Sequence, residues 1–404
     1  MAGVVIIGAG QAGAQAAISL RQMKYEGEIT ILGEESHLPY ERPPLSKAFL
    51  LGEQPIEKSF LRSEDFYKDQ SIDLRRNVLV KSFDPKAKTV RFDGGEIDYD
   101  DLIIATGTRA REINIPGANL EGVAYLRTVD DALALQAMAE KAKSVAVIGG
   151  GYIGMETAAS LRKMGCEVTV FEFLDRVMAR GVAPQVSDFF TKVHKDKGVD
   201  IQVSTGVTAF KGEDRVEAVV TSKGESVPVD LVIVGIGAVA NDELAREAGI
   251  ACENGIIVDE FSRSSDEHVY AVGDVAFTDN LSLGFGTRLE SVHNAIAQSK
   301  AAASAVVGQS KAYNEVPWFW TQQYDYRLQM AGVPMDDDDF VLRGSMEEGK
   351  FAVFALRDGI LKAVNACNSA QEYVVGMRLI GMNKAIDPAV LSDPATNMKE
   401  LLKA

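Results

Sequence analysis

Short apolar runs separated by glycine open the chain. "VVIIG" leads into "AGQAG", then into Ala, Leu and Met positions at helical spacing, then into a second apolar run, "ITIL". The spacing predicts strand, Gly-rich turn, helix and strand. The pattern returns from Val145 as "VAVIGGGYIGMETAASLRKMGCEVTVFEF", so the chain uses one βαβ unit twice. Between the copies, polar and apolar positions predict a short helix around residues 64–70. They also predict a hairpin in "KTVRFDGGEIDYD" that turns at Asp93-Gly94-Gly95. An apolar strand, "YDDLIIATGT", then runs into a Gly/Thr/Arg/Pro crossing that reads as a domain boundary.

After the second copy, residues 199–237 read as several strands. "HVYAVGDVA" is a further buried strand, and "RLESVHNAIAQSKAAASAVVG" carries a long Ala-rich helix. From about Tyr313 the pattern is strands and hairpins, one turning at Asp358-Gly359, with helices near residues 371–379 and 397–403. No short period repeats, which excludes solenoids and propellers. One stretch fits no regular element. "SHLPYERPPLSKAFLLG" has Pro43 and Pro44 in succession, which rules out a helix interior and argues against a central strand. It reads as a loop that presents Tyr40, Glu41, Arg42, Ser46 and Lys47.

Composition adds limits. The 404 residues, 46% hydrophobic and 25% charged, suit two to three globular domains with large cores. The longest apolar run, residues 231–240, is well short of a membrane span, and the N-terminus lacks the basic segment of a secretory signal. The three cysteines, Cys166, Cys252 and Cys367, are far apart and supply neither a disulfide framework nor metal spacing, so no metal and a reducing cytoplasmic location are expected. A net charge of -16 argues against nucleic acid and anionic membranes as partners. The acidic run at residues 336–339 reads as a solvated loop.

The two glycine clusters carry the chemistry. Gly8, Gly10 and Gly13 form a GxGxxG turn between strand and helix. Such a turn lets the backbone approach a pyrophosphate while the helix N-terminus offers N–H donors. The acid expected on the ribose is Glu34, with Glu35 as fallback. The second cradle is Gly149, Gly151 and Gly154 with acid Glu172, which favours NADH over NADPH by repelling a 2′-phosphate. Arg176 and Arg180 lie downstream without adjoining the strand end, where they would soften that preference. Two cradles imply two dinucleotides, and a protein holding both is suited to passing hydride between them.

The order GAGQAG, "RPPLSK", "LIIATGT", GGGYIGME, "VGIGAVANDELA", "VYAVGDVA", "RLESVHNA" and "PWFWTQQY" spans nearly the whole chain. It resembles the FAD-dependent NADH:ferredoxin reductases of bacterial oxygenase systems, in the glutathione-reductase structural class. The resemblance implies an α/β fold with two Rossmann-like dinucleotide-binding domains. Residues 1–108 and 236–314 would bind FAD, residues 109–235 would bind NAD, and residues 315–404 would form an α+β C-terminal domain. It implies FAD and NADH as cofactors and a 2Fe–2S ferredoxin as transient partner. That ferredoxin would supply a ring-hydroxylating dioxygenase or a haem monooxygenase, and the reductase would be a monomer or homodimer. Rubredoxin is the alternative acceptor. A thiol, disulfide or peroxide reductase on the same fold is disfavoured, because the 36–52 loop lacks the cysteine such enzymes use.

Residue by residue, the resemblance implies that Arg42 and Lys47 line the flavin and that Arg127 lies near the FAD. Glu156 would pair with Lys47 as an electrostatic couple tuning flavin and nicotinamide pocket, with no general acid or base required. Gly235 and Gly237 would let backbone approach the nicotinamide cofactor, and Asp274 would meet the ribityl or pyrophosphate. Glu290, Ser291 and Val292 would open a helix facing the flavin pyrimidine ring, and Trp320 would pack beside the flavin. Tyr152 occupies the place of an aromatic over the nicotinamide pocket, plain packing being its alternative. The sequence departs from the family pattern at Ala240, Gln322 and His293. Because such ferredoxins are acidic, a local basic cluster is expected from among Arg288, Lys300, Arg327, Arg343, Arg378 and Lys384.

Overall fold

The structure, a computed structural model, describes residues 3–280 and 282–403. The chain forms two compact units. One comprises Met1–Glu41, Ile56–Arg109 and Val239–Trp318; the other comprises Arg42–Pro55, Ala110–Ala238 and Phe319–Ala404.

The first unit is built on a parallel sheet. Its strands run in the order Ile72–Arg75, Ile29–Leu32, Gly3–Ile7 and Gly95–Ile104, with Val269–Ala271 added in parallel beside the last. Gly3–Ile7 is buried along its whole length, as a strand covered on both faces must be. Alternation sorts its residues. Val4 and Ile6 pack with Ala16, Leu20 and Ala302 on one face, while Val5 and Ile7 pack with Val90, Ile256 and Val258 on the other. The expected hairpin pairs Thr89–Phe92 antiparallel with the start of Gly95–Ile104, and the expected short helix is Glu64–Asp69, capped by Ser63. Val269–Ala271 joins this sheet from far along the chain, so the unit is interrupted in sequence.

The second unit repeats the design. Strands Asp200–Gln202, Glu167–Phe171, Ser144–Ile148, Leu231–Val234 and Val123–Ala124 form a five-stranded sheet paired in parallel. An antiparallel sheet follows in the C-terminal region, with Tyr326–Gly332, Ile360–Cys367, Lys350–Arg357 and Asp339–Ser345 as neighbours. One core serves both: Val145, Val147, Met155 and Leu161 pack in a cluster with Leu328, Phe351 and Cys367. The C-terminal helices are Ala370–Met382, the short Pro388–Ser392 and, where a helix near residues 397–403 is expected, the tighter 3-10 turns Met398–Leu402.

The double-proline part of the loop, Arg42–Pro55, belongs to this second unit. Pro43–Ser46 forms a single 3-10 turn with its prolines in the first positions, where the missing N–H costs nothing. Leu50 enters the core, Gln136 Nε2 donates to Leu50 O at 3.3 Å, and Ser160 Oγ donates to Ser46 O at 2.7 Å.

The acidic run corrects the sequence reading. Asp338 is buried and receives Arg357 Nε at 2.8 Å, and Asp336 receives Arg176 Nη2 at 2.8 Å. Asp336 and Asp337 form an exposed turn, and Asp339 opens the strand Asp339–Ser345.

Candidate functional site: two glycine cradles and a lysine–glutamate cluster

Gly8 and Gly149 make the same turn. Their φ values are 111° and 103°, and a side chain on either would strike the backbone oxygen of Ala105 or Gly235 at 2.2 or 2.3 Å. Gly13 and Gly154 face the same constraint, since a Cβ there would meet Gly8 O at 1.9 Å or Gly149 O at 2.0 Å. Gly10 and Gly151 differ. Each is the N-cap of its helix with negative φ, and a Cβ would meet nothing within 4 Å. Neither torsion nor packing requires glycine at these two positions. The open space above a helix N-terminus that lacks a side-chain cap fits a pyrophosphate.

Backbone bonds align the two cradles in detail. Gly8 N donates to Leu32 O, and Gly149 N to Phe171 O, both at 2.8 Å. Gly33 N donates to Arg75 O as Glu172 N donates to Gln202 O. Glu172 therefore corresponds to Gly33, and Glu34 stands one residue further out, exposed. At Gly33 a Cβ would lie 2.5 Å from that of Ala9, which leaves that position to glycine. Glu35 accepts the Tyr40 hydroxyl at 2.5 Å. Glu172 is fixed: Oε2 accepts Gly150 N at 2.6 Å and Oε1 accepts Leu174 N at 2.7 Å. Arg176 is committed elsewhere, to Val182 O, Ala179 O, Ser187 Oγ and Asp336.

The rest of the first unit's set lies around the helix Val292–Val306. Ser291 caps it by accepting Asn294 N at 3.1 Å, and Glu290 pairs with Arg288 Nη1 at 2.6 Å. The same Arg288 donates to Asp274 O at 2.8 Å, while Asp274 Oδ2 accepts Thr108 Oγ1 at 3.4 Å. Gln11 Oε1 and Asn294 Oδ1, each near a helix start, are buried without a hydrogen-bond partner, which fits a ligand rich in hydroxyls.

The second unit gathers Lys47, Ser46, Glu156 and Thr321. Glu156, 3% exposed, forms an ion pair through Oε2 with Lys47 Nζ. The same oxygen accepts Ser46 Oγ at 2.5 Å, and Oε1 accepts Thr321 Oγ1 at 2.6 Å. Three separate segments thus converge on one carboxylate. Arg42 Nη1 donates to Arg127 O at 2.7 Å, so these two arginines are tied together. Trp320 adjoins Thr321, half-buried, its ring 6.2 Å from that of Phe319. Tyr152 packs inward: its ring is 4.8 Å from Phe319 and its hydroxyl 3.1 Å from Met330 Sδ, and burial raises its pKa. Gly237 has φ 113° and accepts Arg111 N at 2.9 Å, and a Cβ on Gly235 would make only ordinary contacts.

Residues 2–299 match the pyridine nucleotide-disulphide oxidoreductase family, and residues 318–402 match the reductase C-terminal family. The chain is 40% identical over 398 residues to rhodocoxin reductase of Rhodococcus erythropolis, covering 98% of this chain and 93% of that one. Among solved structures, the ferredoxin reductase for the CYP199A2 system of Rhodopseudomonas palustris is 39% identical with a TM-score of 0.97, covering 100% of both chains. A covalent putidaredoxin reductase–putidaredoxin complex is 35% identical with a TM-score of 0.96, covering 100% of this chain and 98% of that one. The chain is a pyridine nucleotide-disulphide oxidoreductase by family. Cys166 and Cys367 are buried, Cys252 is half-buried, and burial raises the pKa of each. Among the described residues, no His, Cys, Asp or Glu cluster is arranged to hold a metal, and no helix is long and apolar enough to cross a membrane.

Sequence reasoning missed Thr321 and Gln323, and it named Ser46 in the loop without its bond to Glu156. Gln323 Oε1 accepts His194 Nε2 at 2.9 Å, and Gln323 Nε2 donates to Thr321 Oγ1 at 3.3 Å. Strand alternation was the available signal: Thr321 and Gln323 point inward, while the conspicuous Gln322 is exposed. His293, another of the three departures, lies 5.2 Å from the Trp318 ring and meets Glu315 Oε2 at 2.8 Å. Two of the six cations expected to form a partner surface are internal. Arg343 is buried and donates to Leu391 O and Thr396 O, and the Arg288 side chain is 7% exposed. Lys300, Arg327, Arg378 and Lys384 are exposed.

Proposed function

We propose that this chain is an FAD-dependent NADH:ferredoxin reductase that delivers single electrons to a 2Fe–2S ferredoxin serving an oxygenase. One observation carries this reading. The chain holds two cradles in which Gly10 and Gly151 leave room that the protein itself does not use, while no cysteine occurs in the 36–52 loop. The relatives' names point the same way, to ferredoxin-type acceptors rather than to disulfides.

Bound FAD takes up a hydride and releases electrons one at a time. The protein's part is binding and field. In this reading Gly8, Gly10 and Gly13 hold the FAD pyrophosphate, Glu34 the ribose, and Asp274, Glu290, Ser291 and Val292 the remainder of that cofactor. Gly149, Gly151 and Gly154 take NADH, with Glu172 on its ribose and Gly235 and Gly237 leaving backbone room. Arg42, Lys47, Arg127 and Trp320 face the flavin, and Tyr152 backs the nicotinamide pocket. Lys47 is held by its ion pair with Glu156, and its ammonium favours electron density arriving nearby. Arg176 is bonded to carbonyls and so is not offered to a 2′-phosphate, and the Glu172 carboxylate repels one, so NADPH is the poorer donor.

Anaerobic mixing tests this reading. NADH should bleach the yellow protein within seconds and NADPH far more slowly. The reduced protein should then pass electrons to a 2Fe–2S ferredoxin faster than to rubredoxin. Preference for rubredoxin would reassign the acceptor, and failure of NADH to bleach the flavin would overturn the enzyme reading.

A further inference from the structure

Phe173 follows Glu172 directly and is 77% exposed, the most exposed large hydrophobic side chain among the described residues; the next, Leu133, is 47% exposed. Single exposed apolar residues are ordinary, but this one has a defined setting. The carboxylate before it is clamped between the cradle, through Gly150 N, and the turn after the strand, through Leu174 N. The ring lies along Gly206, where a Cβ would come within 3.3 Å of Phe173 Cδ2, so glycine at 206 lets the ring rest against backbone. Leu174 O accepts Ser204 N at 2.7 Å and Glu172 O accepts Thr205 N at 2.9 Å, which fixes the backbone on both sides of the phenyl group.

A dinucleotide with its pyrophosphate at Gly151 and its ribose 2′-hydroxyl on Glu172 has little freedom for its base. The glycosidic nitrogen is three covalent bonds from that hydroxyl oxygen. The cradle side is taken by the pyrophosphate, so the base leaves on the opposite side, over residues 173 and 204–206. We propose that Phe173 is the stacking platform for the adenine of NADH, one face against Gly206 and the other presented to the base. The inference rests on the reading of the second cradle as the NADH site. Stacking of a base on an aromatic ring is tolerant of substituents but sensitive to loss of the π face. Phe173 therefore sets affinity for the adenosine half and adds nothing to hydride geometry.

The test uses the FAD-loaded full chain and two ligands. ADP-ribose carries the adenosine half without nicotinamide; reduced nicotinamide mononucleotide carries the other half without adenosine. Phe173→Ala should weaken ADP-ribose binding, measured by calorimetry, about tenfold. It should lower the ratio of kcat/KM for NADH to that for reduced nicotinamide mononucleotide by a similar factor. Phe173→Trp should restore both, and Phe173→Leu, apolar but not aromatic, should restore neither in full. Unchanged ADP-ribose affinity in Phe173→Ala, or equal losses with both donors, would overturn the proposal. Phe173-dependent ADP-ribose binding in a protein whose flavin NADH does not reduce would leave this inference standing and remove the functional reading instead.

Discussion

Thr321 Oγ1 donates to Glu156 Oε1 at 2.6 Å, across 165 residues of sequence. That bond ties the strand carrying Trp320 to the helix that opens at the second cradle. It leaves Oε2 of the same carboxylate to Ser46 and Lys47. Because Glu156 is buried, every donor around it matters more than it would at a surface.

Thr321→Val keeps the shape of the side chain and removes the donor. A buried carboxylate oxygen then loses its partner, which costs about 1–3 kcal/mol. Urea unfolding should show a loss of that size, and Thr321→Ser should restore most of it. Lys47→Met should lower stability, because it leaves the buried Glu156 carboxylate without its cation, and the folded protein should show flavin reduction by NADH slowed at least about tenfold, the scale of one charge-assisted hydrogen bond. Reduction at the wild-type rate would remove Lys47 from the site.

The cradles predict a contrast among glycines. Gly10→Ala and Gly151→Ala should fold normally, because a Cβ there meets nothing within 4 Å. The first should reduce the FAD content of the purified protein. The second should retain FAD but raise the KM for NADH. Gly13→Ala should fail differently, losing thermal stability, because its Cβ would lie 1.9 Å from Gly8 O. Full FAD content in Gly10→Ala would show that the space serves no ligand.

His194 predicts a pH dependence. It is fully buried, and desolvation pushes its pKa down to about 4, only partly opposed by the hydrogen bond to Gln323. The unfolded chain, with an ordinary imidazole near 6.5, binds this proton first as pH falls. Stability is therefore full above about pH 6.5 and declines toward pH 4, by at most about 1.4 kcal/mol per pH unit from this group. Urea midpoints at pH 7.5 and pH 5 should differ in that direction, and His194→Gln should flatten the difference.

Thiol chemistry should be dispensable. Cys367 is buried with its pKa pushed up to about 12, and Cys166 and Cys252 are raised by burial as well. Few thiolates exist near neutrality. Iodoacetamide treatment should leave NADH-driven electron transfer unchanged, and strong inhibition would revive a thiol relay.

The repeated βαβ units were legible because their signals are local. Glycines at fixed spacing, an apolar strand before and a helical period after all lie within some thirty residues of each other. The Lys47–Glu156 pair was reachable only through family resemblance, since nothing in the intervening chain marks it. Thr321 and Gln323 were not reached at all, and Ser46 was reached only as a loop residue, without its partner. Their hydroxyls and amide are ordinary by type and gain meaning only from what folding sets opposite them. The acidic run shows the same limit, because Asp338 looks like its neighbours until Arg357 is brought to it.

By itself, the sequence determined the two cradles, the order of strands and helices, and the absence of a cysteine from the 36–52 loop. These depend on backbone sterics and short-range periodicity, which a chain carries with it wherever it folds. Tertiary structure decided where the double-proline loop belongs. Although it follows the first cradle in sequence, it is held by Glu156, Ser160 and Gln136 of the second unit. It also decided that Glu172 aligns with Gly33 rather than with Glu34, because strand register is set by hydrogen bonds to neighbouring strands. Such choices depend on partners distant in sequence, and a local pattern does not encode them.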